Sequence, residues 1–481
     1  MMNLAININA LMPEIIIAAS AMLVLLLGLF VKDKNNNLIY GISQITLLLA
    51  AMLVAHSGFG PTYRVFNDMH IIDPAGNFLK LLSFIATSFV FLYSRSYLRK
   101  KQLLNGEYFS LTLFALLGIM LMISGANLLM IYLGLELLSL SLYALIALNR
   151  DNLDATEAAM KYFVLGALAS GLMLYGMSMI YGLTGSLDLQ VIATHLVEMN
   201  LNPSIMAFGL VFIVVGIAFK FGAVPFQMWV PDIYHGAALP MTMMISSMPK
   251  FASVALAARL LFQGLEPLAV DWQQMLLIMA ILSMILGNIT AIAQDNIKRM
   301  LAYSTISHVG FMFFGMMSGT INGLSSTFFY VACYALMTLA AFGAIITLSQ
   351  KNKDFDQLND YKGLSQRNPM MALMIMIIML SLAGIPPTIG FYAKFSVLQS
   401  AIEVGMVWPA VIAVLMALIG MFYYLRIIKL MYFDSPSSSQ KIHFSGDLLF
   451  ILGINSFSLI LLGLSPKLLM SLAALAVGLS F

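Results

Sequence analysis

Six ionisable side chains lie inside stretches that are otherwise as apolar as lipid: Glu136, Lys161, Lys220, Lys250, His308 and Lys394. A charge at the centre of a bilayer costs about 2.5 to 3.5 kcal/mol on insertion scales, so several retained in one chain make function the default explanation. The chemistry these residue types share is proton transfer. Desolvation disfavours the charged form of lysine and glutamate alike. An opposite charge at about 4 Å, worth of order 4 kcal/mol at an effective dielectric near 20, restores it. A lysine facing a glutamate is therefore a switch. Moving Glu136 away from Lys220 would let Lys220 release its proton toward Lys250, and the chain Lys220, Lys250, Lys394 would carry it laterally through waters and hydroxyls.

Each residue also has a plainer reading. Glu136 has Tyr132, Ser139 and Tyr143 at i−4, i+3 and i+7, a polar stripe that suits one wall of a hydrated path; a glutamate tying two helices together would occupy the same place. Lys220 falls within GIAFKFGAVPFQMWVP (216–231), two residues before a glycine and five before a proline, and a purely charge-neutralising role is its alternative. Lys250 shares a helix face with Ser246, Ser247 and Ser253, too deep for snorkelling. Lys394 has a structural role as its alternative. Lys161 has Asp154 and Glu157 at i−7 and i−4, and a local Glu-to-Lys pair worth a few tenths of a kcal/mol would account for it. His308, one turn after Ser304 and Thr305, reads as a relay near neutral pH or as a satisfied core histidine. Lys80, one turn inside the outer end of its span, reads as a snorkelling lysine. Asp232 and His235, in WVPDIYHGAALP, would admit protons from the cytoplasmic side or are solvated loop residues.

The elements that must position these groups are transmembrane helices. The chain has 481 residues, 61% hydrophobic and 9% charged, and that balance excludes a soluble globule, whose surface needs roughly a quarter charged residues. It reads as one all-α membrane domain, 1–481. Runs of about 20 apolar residues place fourteen spans at 11–31, 38–57, 75–96, 108–122, 126–148, 158–183, 205–238, 241–262, 273–293, 300–318, 324–349, 370–403, 405–430 and 447–465. Of the 24 lysines and arginines, sixteen collect after odd-numbered spans: Lys32, Lys34, Arg95, Arg99, Lys100, Lys101, Arg150, Lys298, Arg299, Lys351, Lys353, Lys362, Arg367, Arg426, Lys429 and Lys441. Only Arg64, Arg259 and Lys467 fall opposite, so the positive-inside rule puts both termini outside, in a bacterium the periplasm. The start, MMNLAININALMPE, has no positive n-region, and no cleavable signal peptide is expected.

Spans 7 and 12 are too long: about 34 residues of continuous helix would measure about 51 Å. Each must be interrupted, and each contains G-x-x-P, at Gly222 to Pro225 and Gly384 to Pro387. Breaks five spans apart enter from opposite faces. This predicts two inverted repeats, spans 4 to 8 (108–262) and 9 to 13 (273–430), with the ion path at the breaks.

Neither a P-loop nor a G-x-G-x-x-G fingerprint is present. The one cysteine, Cys333, cannot hold an iron–sulfur cluster. The net charge of +3 is spread out and offers no face to nucleic acid. No cofactor is expected in this chain, and whatever drives the proton must come from outside it.

Four stretches, DATEAAMKYFVLGALASGLMLYGMSMIYGLTGSLDL (154–189), VVGIAFKFGAVPFQMWVPDIYHGA (214–237), DNIKRMLAYSTISHVGFM (295–312) and LSLAGIPPTIGFYAKF (380–395), resemble the antiporter-like membrane subunits of respiratory complex I, the proton-pumping NADH-quinone oxidoreductase. The resemblance covers essentially the whole chain. The length without a long lateral C-terminal helix argues against the L paralogue, and Lys394, where the M paralogue carries a glutamate, against M. It implies that Glu136 pairs with Lys220, that Lys250 continues a central hydrophilic axis, that Lys394 ends it near the periplasmic exit, and that Lys161 matches a family lysine. Other complex I membrane subunits, lipid and protons are the implied partners, with NADH, flavin, iron–sulfur clusters and quinone in those partner subunits. The chain departs from some relatives in span 11, whose ionisable residues are only Tyr330, Cys333 and Tyr334, so the link between Lys250 and Lys394 rests on water, tyrosines or His308. A subunit of a multi-subunit sodium/proton antiporter shares the same helices and charges and is the alternative. A purely structural membrane subunit is a third reading.

Overall fold

The computed structural model describes residues 8–30, 36–199, 201–350, 353–436 and 445–481. Every one of the fourteen spans is a helix within a few residues of its expected limits. They are α1 Met12–Phe30, α2 Asn37–Ser57, α3 Pro74–Lys100, α4 Gly106–Ile123, α5 Leu128–Ile146, α6 Leu153–Thr184, α7a Pro203–Phe221 with α7b Trp229–Gly236, and α8 Leu239–Ala257. There follow α9 Ala269–Ile292, α10 Ile297–Met316, α11 Ile321–Leu348, α12a Pro369–Ala383 with α12b Ile389–Glu403, α13 Val407–Tyr432 and α14 Gly446–Leu464. Among the described residues, twelve helices are long and apolar enough to cross a membrane; the other two positions are α10 and the divided α12. Lys32, Lys34, Lys351 and Lys441 of the charge pattern lie outside the described residues.

Local chemistry sets the helix starts. Asn105, Asn127, Asn152, Asn202, Asn296 and Asn368 each accept a hydrogen bond from a first-turn amide, satisfying a donor that lipid cannot. Two of these, Asn202 and Asn368, are followed by proline at the first helical position of α7a and α12a, the place where its missing N–H costs nothing.

The two breaks are built alike. Gly222 and Gly384 take left-handed backbones, φ 75° and 83°. At each, the following amide returns to a carbonyl five residues back, Ala223 to Ala218 and Ile385 to Leu380, while the glycine amide bonds Phe219 or Ser381. Both are therefore Schellman endings, which glycine makes without strain. The break expected at each G-x-x-P thus falls on its glycine, three residues before the motif's proline.

Helices α8 and α11 are enclosed by protein along nearly their whole length, whereas α1 and α13 turn most of theirs outward. A helix shielded from lipid carries polar groups at lower cost, and α8 and α11 hold Lys250, Tyr330 and Tyr334. Close approach needs small residues: a Cβ on Gly118 of α4 would lie 2.5 Å from the Leu138 amide of α5, and one on Gly287 of α9 would lie 2.7 Å from the Ser307 amide of α10.

Among the described elements that go unmarked in the sequence are a hairpin of β1 (Tyr63–Val65) with β2 (His70–Ile72), a short helix Leu189–Glu198, and a C-terminal helix Lys467–Gly478. Arg259 falls at the outer end of span 8, as expected, in the π-helical turn Ala258–Gly264 that follows α8, where it is buried and bonds Asp73 at 2.7 Å. Lys80 does not snorkel: it is 3% exposed and paired with Glu14 of α1 at 2.6 Å.

Candidate proton path

The three central lysines meet the ends of interrupted helices. Lys220 sits in the last turn of α7a and donates to Ser139 Oγ of α5 at 2.6 Å. The expected direct contact with Glu136 is not made: among the described residues Glu136 forms no ion pair within 4.0 Å. Ser139 lies one turn further along the same face of α5, and its hydroxyl meets the ammonium first. Glu136 remains close enough for its charge to act on Lys220, Tyr132 and Tyr143, and its Oε1 is buried without a protein partner. Ser139→Ala is expected to lower proton pumping severalfold with assembly unchanged, and Ser139→Thr to keep it; ratiometric dye measurements on vesicles compare the two.

Lys250 is 1% exposed and donates to Phe221 O at 2.6 Å. Phe221 is the last residue of α7a, so its carbonyl has lost its helical partner at the Gly222 break. Lys394, in α12b, does the same at the other break, donating to Ala383 O at 2.8 Å and Leu382 O at 3.3 Å, the last two residues of α12a. A cation at a helix C-terminus meets unpaired carbonyls and the negative end of the helix dipole. Each ammonium also faces an aromatic ring, Lys250 that of Trp229 at 6.0 Å and Lys394 that of Phe311 at 5.3 Å.

Beside Lys394 runs a chain of hydroxyls centred on His308. Its Nδ1 is 2.7 Å from Tyr330 Oη and its Nε2 is 3.2 Å from Tyr424 Oη. Tyr424 bonds Ser304, Tyr334 donates to Thr305 Oγ1 at 2.8 Å, and Tyr330 stacks on Phe311, the ring beneath Lys394. Tyr234 of α7b adds a buried hydroxyl with no protein partner. His308→Phe is expected to leave quinone reduction intact but slow coupled pumping severalfold, checked by comparing NADH oxidation with dye quenching.

Lys161 stands apart from this line. Its side chain is 43% exposed, and it pairs with Glu157 at 2.8 Å and Asp232 at 2.9 Å. Asp232 also takes Arg299 at 3.1 Å, and these residues with Asp154 and His235 line a surface cavity of about 210 Å³. The local Glu157–Lys161 pair is thus present, together with a bridge to α7b that spacing could not reveal. Sequence reasoning also missed Lys298, read as a loop residue: it is buried in the first turn of α10 and donates to Ala237 O at 3.0 Å, just past the end of α7b. Asn296, a helix-capping residue type two positions earlier, was the available signal.

Residues 125–420 match the family described as NADH:quinone oxidoreductase/Mrp antiporter, TM. A polytopic helical bundle with charged residues buried at two broken helices is thus an antiporter-like membrane subunit. NADH-quinone oxidoreductase subunit N of Methylovorus glucosotrophus is 52% identical over 477 residues, 99% of each chain, and that of Herminiimonas arsenicoxydans 50% over 485 residues, 98% of each. The chain belongs to the subunit N family of NADH-quinone oxidoreductase. A chain of respiratory complex I from Thermus thermophilus with bound aureothin superimposes with a TM-score of 0.81 at 28% identity, over 96% of this chain and 99% of that one. A chain of the Mrp complex from Dietzia sp. gives 0.86 at 19% identity, over 98% and 97%, a likeness of fold alone.

Proposed function

We propose that the chain acts as the non-redox, proton-translocating membrane subunit N of an NADH-quinone oxidoreductase, driven by electron transfer from NADH to quinone in partner subunits. Those partners carry the flavin and iron–sulfur clusters. The proton moves along Glu136, Lys220, Lys250, His308 and Lys394, and the Lys161–Asp232–Arg299 cluster forms its mouth on the cytoplasmic side. The subunit lies in the bacterial inner membrane, both termini periplasmic, in contact with lipid and with other complex I membrane subunits.

The observation that carries this reading is that two lysines are bound to carbonyls released at two glycine breaks, with a histidine–tyrosine chain beside the second. Such an ammonium is held only while the carbonyls stay aimed at it, because an unpaired buried charge is costly. A small shift of the break therefore changes whether the lysine keeps its proton, and Ser139 gives Lys220 an alternative partner to Glu136.

The two breaks belong to inverted repeats, 108–262 and 273–430. Matched features support this: Asn-Pro starts at α7a and α12a, Schellman endings at Gly222 and Gly384, and single backbone bridges of the capping asparagines, Asn127 to Asp188 and Asn296 to Gln357.

Purification of the tagged chain tests the reading. NADH-quinone reductase activity, flavin and iron–sulfur proteins are expected to come with it. Sodium-dependent transport without them would instead make it a sodium/proton antiporter subunit.

A further inference from the structure

Two guanidinium groups converge on one neutral atom where α3 ends in Arg95, Arg99, Lys100 and Lys101. Arg95 and Arg99, one turn apart, both donate to Asn37 Oδ1 at the start of α2. Like charges at that spacing repel, and an amide oxygen does not neutralise them. Lys101 has its own anion, Asp354 at 3.1 Å. Among the described residues Arg95, Arg99 and Lys100 form no ion pair within 4.0 Å. The Arg95 guanidinium is nevertheless held in place, 4.5 Å over the ring of Tyr40, with Nε enclosed and without a protein partner. The positive-inside rule accounts for basic residues at this end of α3, but not for two of them set on a single acceptor.

From this cluster a cleft leads into the depth of the membrane. Gln44 Nε2 donates to Tyr40 Oη at 3.4 Å, and Ser88 Oγ donates to Gln44 Oε1 at 2.8 Å. Gln44 and Ser88 also line a cleft of about 380 Å³ between α2 and α3, whose other walls are Leu47, Leu48, Ala51, Phe84, Ile85 and Phe89. At 1.5 Å per residue, Phe89 and Phe84 lie roughly 9 and 16 Å further in than Arg95 along α3, the depth that acyl chains of one leaflet occupy in a ~30 Å core. Leu48 and Ile85 are 55% and 48% exposed, so the cleft opens toward lipid and not into the bundle.

We infer that the cleft between α2 and α3 holds an anionic phospholipid, with its phosphate on Arg95 and Arg99 and one acyl chain against Phe84, Ile85 and Phe89. Arginine's planar fork matches phosphate oxygens, and Lys100 adds a third unneutralised cation. A zwitterionic lipid would bring its own ammonium into that cluster, so a headgroup of net negative charge is selected. An acidic peptide would satisfy the arginines but leave the apolar cleft empty. The lipid fastens α2, which turns most of its surface outward, to α3. None of the residues of the proton path lines this cleft.

Site-resolved labelling tests the assignment. The whole complex is reconstituted in phosphatidylcholine vesicles containing a trace of phosphatidylglycerol or of phosphatidylethanolamine, each carrying a diazirine midway along one acyl chain. After illumination, the cross-linked peptides are identified by mass spectrometry. Phosphatidylglycerol is expected to mark residues 44–51 and 84–89 severalfold more than phosphatidylethanolamine does. Joint replacement Arg95→Gln and Arg99→Gln is expected to lower that labelling roughly tenfold or more, at about 1 kcal/mol for each basic residue lost, while labelling elsewhere on the complex is unchanged. Should the double variant fail to assemble, competition on the unaltered complex decides: excess unlabelled phosphatidylglycerol removes the mark and excess phosphatidylethanolamine leaves it. Equal marking by the two lipids, marking undiminished in the double variant, or competition by both alike would mean ordinary contact with bulk lipid and overturn the site. Absence of any mark on these helices would mean that protein covers the cleft, and would overturn it too.

Discussion

Lys220→Ala is expected to cut NADH-driven proton pumping by roughly tenfold or more, the scale at which removal of a positioned proton donor is felt, while the complex still assembles. Both halves follow from the geometry. Lys220 is the cation through which the last turn of α7a meets the polar stripe of α5, so its loss interrupts the path between Glu136 and the Gly222 break. Its partner is a serine hydroxyl that also donates to Leu135 O, so truncation strands no ion-paired carboxylate. Dye quenching in inverted vesicles, normalised to the amount of assembled complex, measures the effect. Wild-type pumping in an assembled mutant would mean that Lys220 lies off the path.

Arg259→Leu is expected to act on stability. Removing one partner of a buried ion pair costs about 3 to 5 kcal/mol, because the other charge is left without compensation. Here the stranded group is Asp73, which also caps α3 by accepting the Gly76 amide at 2.9 Å. The outer ends of α3 and α8 and the hairpin should loosen together, seen as a lower melting temperature and less assembled complex on native gels. Adding Asp73→Asn should recover much of the loss, since asparagine still caps the helix and carries no charge.

These two residues also mark what the sequence did and did not disclose. Lys220 stands out within an uncharged run beside G-x-x-P, and one chain suffices to read both the buried cation and the break. Bilayer thickness sets span length, which is why all fourteen helices were legible. Lys80 was misread, and the burial of Arg259 went unseen, because hydropathy reports depth along one helix and not what encloses it. Glu14 approaches Lys80 from 66 positions away in the chain and Asp73 approaches Arg259 from 186. Lys161 shows the converse: its depth was read correctly as helical, but which face of α6 turns outward depends on neighbours. The substitution of Ser139 for Glu136 as the partner of Lys220 turns on a single helical turn, finer than periodicity resolves. The Tyr330–His308–Tyr424 chain was foreseen only as residue types, since contact among α10, α11 and α13 is a tertiary fact.

The central claim is that lysines held by the carbonyls of broken helices hand protons onward. Lys250→Arg tests it most directly, because arginine preserves the charge and a donor for Phe221 O while remaining protonated. Measured as protons moved per NADH in reconstituted complex, the account predicts assembly and quinone reduction with pumping lost. Pumping at the wild-type yield would contradict it.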